Sequence, residues 1–84
     1  MIFLKTYLNS LDVDLILSSI AEKYKNEQVN TIDGVKIDFE KGWIHLRKSN
    51  TEPIIRIYAE ASSEVEANTL AQQIIQAIKE IANL

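Results

Sequence analysis

From position 63 onward, Ala67, Leu70, Ala71, Ile74, Ile75, Ile78, Ile81 and Ala82 recur at spacings of three and four. That period gathers apolar side chains into one stripe of an α-helix. Ser63-Glu64-Val65-Glu66 opens the stripe as a capping box, with the serine capping an early amide and Glu66 reaching back. A second stripe, Val13, Ile16, Leu17, Ile20, Ala21 and Tyr24, predicts an earlier helix with Ser10 or Asp12 as its N-cap. Asp12 and Asp14 favour its first turn through the helix dipole. The same aspartates could begin a metal site, but no third carboxylate stands near them.

Between the helices the period drops to two. Val35, Ile37 and Phe39 alternate with Lys36, Asp38 and Glu40, the pattern of a half-buried strand. Asp33-Gly34 just before it is a hairpin signal, so residues 29–32 should pair with it. Lys41-Gly42 turns the chain into a strand over 43–46, and residues 54–61, after Pro53, form a fourth. Short turns make neighbouring strands antiparallel. The order is helix, four strands, helix. Two helices must then cover the apolar face of one sheet. The expected fold is α+β, a two-layer sandwich with a four-stranded antiparallel sheet and two helices on one face.

Length and composition fit one domain over residues 1–84. With 46% hydrophobic and 25% charged residues the chain is neither a disordered tail nor a membrane span. It has no cysteine and one histidine, His45, which excludes disulfides, a thiolate metal site and a cysteine nucleophile. The start, Met1-Ile2-Phe3-Leu4-Lys5, lacks signal-peptide features, so the expected compartment is the cytoplasm. Residues 1–11 are more apolar than an exposed end should be. They either extend the first helix or pack, as an interdomain segment, against protein outside this chain.

Nine basic against twelve acidic residues give −3, the wrong sign for a nucleic-acid backbone binder. The distribution says more. Residues 45–58 hold Arg47, Lys48 and Arg56 against Glu52, a local +2, which leaves −5 for the rest. One positive spot on an acidic protein suits a small anion.

That spot is a loop, Arg47-Lys48-Ser49-Asn50-Thr51-Glu52-Pro53. If the flanking strands form a hairpin, Arg47 and Arg56 fall nearly opposite each other, and like charges across a ladder destabilise it. A shared anion would give them a reason, since two guanidinium forks match phosphate or carboxylate geometry. Ser49, Asn50 and Thr51 add donors, and a turning backbone can aim its N–H groups inward. The alternative is that Arg47 and Arg56 pair with Glu52 and Glu60, and that Ser-Asn-Thr is ordinary turn composition. Spacing leaves both open.

The stretch Arg47-Lys48-Ser49-Asn50-Thr51-Glu52-Pro53-Ile54-Ile55-Arg56-Ile57-Tyr58-Ala59-Glu60-Ala61 resembles the phosphate-binding signature of the α-D-phosphohexomutases, the phosphomannomutases and phosphoglucomutases among them. Asp33-Gly34-Val35-Lys36-Ile37 and Gly42-Trp43 are similar to the final domain of those enzymes. The resemblance implies a TATA-binding-protein-like fold that closes over the active site and holds the phosphate not being transferred. It assigns that phosphate to Arg47, Ser49, Asn50, Thr51 and Arg56, with Glu52 and Pro53 shaping the loop. Lys48 departs from the pattern, which commonly has proline there.

The resemblance also implies a larger parent enzyme with a phosphoserine loop, an aspartate-rich loop holding Mg²⁺ and a sugar-reading loop. None of those motifs stands in these 84 residues. Phosphoryl transfer needs positioning and metal-assisted charge neutralisation together. The chain alone is therefore expected to be inactive, with no cofactor of its own, a phosphosugar as ligand and the remaining domains as partners. Neither nucleic acid nor membrane is an expected partner. A reading of another class is a free-standing module that binds an anion or phosphopeptide without catalysis. His45, Trp43 and Tyr58 read first as sheet packing, Tyr58 sharing a strand face with Arg56.

Overall fold

A computed structural model of the chain describes residues 2–7, 13–49 and 54–82. Period-two and period-3.6 segments become, in chain order, β1 (Ile2–Tyr7), α1 (Val13–Lys23), β2 (Gln28–Asn30), β3 (Val35–Phe39), β4 (Gly42–Lys48), β5 (Ile54–Ala61) and α2 (Glu64–Ala82). The strands form one antiparallel sheet in the order β1-β5-β4-β3-β2.

Alternation along the strands decides which face the helices cover. Val35 and Ile37, Ile44 and Leu46, and Ile55, Ile57 and Ala59 point to one side and are buried. Ile16, Leu17 and Ile20 of α1 and Ala67, Ala71, Ile74, Ala77 and Ile78 of α2 meet them in a single core. Each buried aliphatic side chain of this size contributes about 1.5–3 kcal/mol relative to exposure. The result is the expected α+β sandwich, with both helices on one face. The other face carries Lys36, Asp38, Trp43, His45, Arg47, Arg56, Tyr58 and Glu60.

Three local features differ from the expectations. Residues 2–7 do not lengthen α1; they run as an edge strand beside β5, with Leu4 opposite Ile57 and Lys5 opposite Arg56. The sheet thus gains a fifth strand beyond the expected four. β2 stops at Asn30 rather than continuing to Ile32, because the Asn30 side-chain oxygen accepts the Ile32 N–H at 2.9 Å. An Asn bonding two residues ahead makes a turn of its own and removes that amide from the ladder.

The third difference is at α2. Ser63 Oγ accepts the Glu66 N–H at 3.1 Å, so the cap forms as expected. The Glu66 carboxylate accepts the Ser62 hydroxyl rather than an amide at the cap. The N-cap candidates Ser10 and Asp12 lie outside the described residues.

A candidate anion site at the β4–β5 hairpin

β4 and β5 lie in the middle of the sheet, and the register of their pairing sets the geometry of the site. Arg47 is directly opposite Arg56, His45 opposite Tyr58 and Trp43 opposite Glu60. Beyond Lys48 the ladder closes with Ser49 N–H donating to the Ile54 carbonyl at 3.2 Å. Antiparallel pairs alternate between hydrogen-bonded and non-hydrogen-bonded types. Arg47 and Arg56, two steps along, are therefore of the hydrogen-bonded type, with Cα atoms about 5.5 Å apart. Both side chains are exposed on the face away from the helices. The expected opposition of the two arginines across the ladder is present.

Of the other expected ligands, Ser49 sits at the end of β4, where its amide closes the hairpin. Asn50 and Thr51, together with Glu52 and Pro53, lie outside the described residues. The predicted alternative partner Glu60 is not paired with Arg56; among the described residues Arg56 has no ion-pair partner. Arg47 does have one, which the sequence did not suggest. Its Nη2 lies 3.4 Å from Asp33 Oδ2.

Lys48, on the opposite face of the strand, reaches α1. Its Nζ donates to both carboxylate oxygens of Asp14 at 3.1 Å. The first-turn aspartate considered as a metal fragment is thus an ion-pair partner of the residue preceding the loop. Asp14, Leu17, Asp33, Gly34, Arg47 and Lys48 line a cavity of about 300 Å³. A larger recess of about 560 Å³ lies between the end of α1 and α2, lined largely by Gln72, Gln73, Gln76 and their neighbours. Its one cation, Lys23, has no second to converge with.

The aromatic and imidazole groups border the arginines on the same face of the sheet. His45 Nε2 is 2.6 Å from the Asp33 carbonyl oxygen, and its ring centroid is 6.3 Å from that of Tyr58. Lys36 Nζ lies 5.4 Å from the Trp43 ring centroid and 3.0 Å from Asp38 Oδ1. In β1, Lys5 is the register partner of Arg56. That position could not be singled out while residues 1–11 read only as apolar.

A two-layer α+β domain with a paired-arginine hairpin on its uncovered face is the class that fold and site define. The chain matches the C-terminal domain of phosphoglucomutase/phosphomannomutase over residues 12–77, and it belongs to that family. It is 44% identical over 64 residues to a phosphoglucomutase/phosphomannomutase of Thermococcus kodakarensis, covering 76% of this chain and 14% of that protein. It is 45% identical over 80 residues to a phosphoglucosamine/phosphogalactosamine mutase of Sulfurisphaera tokodaii, covering 83% of this chain and 18% of that one. A probable phosphoglucosamine mutase of Methanopyrus kandleri is 35% identical over 65 residues. The chain therefore spans less than a fifth of the length of these relatives.

Proposed function

We propose that this chain holds the non-transferred phosphate of a phosphosugar, as the C-terminal domain of a phosphomannomutase or phosphoglucomutase. The observation that supports this best is the register that sets Arg47 directly against Arg56 at the base of the loop. Opposed like charges cost stability unless something negative is shared between them. A phosphate dianion is matched by two guanidinium forks, while Ser49, Asn50 and Thr51 supply shorter-reach donors. A loop that recognises phosphate rather than one sugar would tolerate a substrate bound in either orientation. On this reading the phosphosugar and the remaining domains of the parent are its partners, and it works in the cytoplasm.

Catalysis is assigned elsewhere in the parent, which would carry Mg²⁺. Among the described residues no three His, Asp or Glu side chains converge to hold a metal ion. This chain's described residues do not fit that ion. What the residues here do is bind and orient. A single phosphate held without the other domains should bind near millimolar, about −4 kcal/mol.

Calorimetric or NMR titration with glucose 1-phosphate tests the proposal. Arg47→Ala and Arg56→Ala should each abolish binding. Two single variants that bind like the parent sequence would refute the shared anion.

A further inference from the structure

The turn between β2 and β3 is seated on β4 beside the arginine pair, at consecutive residues. Gly34 has φ +72°, and a Cβ there would stand 2.1 Å from the Leu46 carbonyl oxygen. Only a residue without a side chain lets the backbone come that close. Asp33, just before it, is held at two points. Its carbonyl accepts a hydrogen bond from His45 Nε2 at 2.6 Å, which requires the proton on that nitrogen. Its carboxylate faces Arg47 Nη2 at 3.4 Å. His45 and Arg47 are two positions apart on one face of β4, as a strand's period requires.

The strand order gives this contact a direction. β4 has β3 on one side and β5 on the other. Asp33 therefore draws the Arg47 guanidinium toward the β3 side, away from Arg56. Without a counter-charge, two opposed guanidinium groups would relieve their repulsion by swinging into solvent, each in its own direction. With it, the Arg47 fork has a carboxylate that orients it toward the β3 side.

We propose that Asp33 is a positioning residue of the anion site, holding Arg47 clear of Arg56 so that both forks address one ligand. This rests on the phosphate reading above. It assigns a role to the Asp33-Gly34 turn beyond reversing the chain. The carboxylate touches no ligand and acts through Arg47.

Charge and position make opposite predictions for Asp33→Asn. The substitution removes one negative charge beside the arginines, which on Coulombic grounds alone should strengthen anion binding. Positioning predicts weakening instead. The experiment is an NMR titration of the 84-residue chain and its Asp33→Asn variant with inorganic phosphate, following backbone amides and the arginine Nε–Hε groups. Before any phosphate is added, the variant should show a displaced Arg47 Nε–Hε resonance within an otherwise conserved amide spectrum. Its phosphate affinity should then fall three- to tenfold.

If the wild-type chain shows no response at Arg47 and Arg56, the phosphate reading fails and this proposal falls with it. If the wild type responds and Asp33→Asn binds equally well or better, or leaves the Arg47 Nε–Hε resonance in place, only the proposal fails. Asp33 would then be a competing carboxylate or a bystander.

Discussion

Arg47 and Arg56 are directly opposed in the register of β4 and β5, both exposed and both on the face the helices leave uncovered. The only carboxylate that a described ion pair brings to either of them is Asp33, and it serves Arg47 alone. A fold selected for stability alone would place an opposite charge at one of the two positions.

This gives a trade between stability and binding. Arg56→Gln should remove the cross-strand repulsion and raise the unfolding free energy by about 0.2–1 kcal/mol. Urea denaturation measures this. The same variant should lose phosphate binding. Destabilisation instead would mean that Arg56 serves the fold.

The Asp14–Lys48 pair ties the strand end before the loop to the first turn of α1. With side chains 46% and 70% exposed at Lys48 and Asp14, it should be worth no more than about 0.2–1 kcal/mol. A double-mutant cycle of Asp14→Asn with Lys48→Met should give a coupling in that range, shrinking at molar salt as screening grows. A coupling insensitive to salt would contradict the ion-pair origin.

Gly34→Ala should cost about 1–3 kcal/mol, because φ +72° is a left-handed conformation and the added methyl meets backbone. Thermal unfolding reads the loss. The His45 ring resonances should move too, since the carbonyl they bond belongs to the preceding residue. A variant as stable as the parent would mean that the turn does not sit against β4.

Tyr24 packs edge-on against Phe39, with ring centroids 5.9 Å apart. Burial, with a smaller contribution from the Glu80 carboxylate, raises its phenol pKa above the ordinary 10.0. The folded state then keeps a proton that the unfolded chain gives up. Stability should be constant below pH 10 on this account and fall as pH rises past it. Tyr24→Phe should flatten that alkaline decline in urea midpoints measured between pH 9 and 11. An unchanged slope would assign the decline to other groups.

Both helices, β3, β4, β5 and the Arg47–Arg56 opposition could be read from period and turn signals, because each has one face buried and one exposed. β1 could not. Its residues are apolar at Ile2, Phe3, Leu4 and Tyr7 without clean alternation, and its pairing with β5 joins residues about fifty positions apart in the chain, which no local pattern encodes. Asp33 and Asp14 were visible only as a turn residue and a first-turn acid. Their roles as partners of Arg47 and Lys48 depend on where tertiary packing brings the turn and the helix.

The proposed function has Arg47 and Arg56 hold one phosphate between them. Its most direct test is an NMR titration of the chain with glucose 1-phosphate, with glucose as the control. The expected result is a set of shifts at Arg47, Ser49 and Arg56 that share one dissociation constant and are absent with glucose. A response to glucose of equal size, or none to glucose 1-phosphate at tens of millimolar, would contradict it.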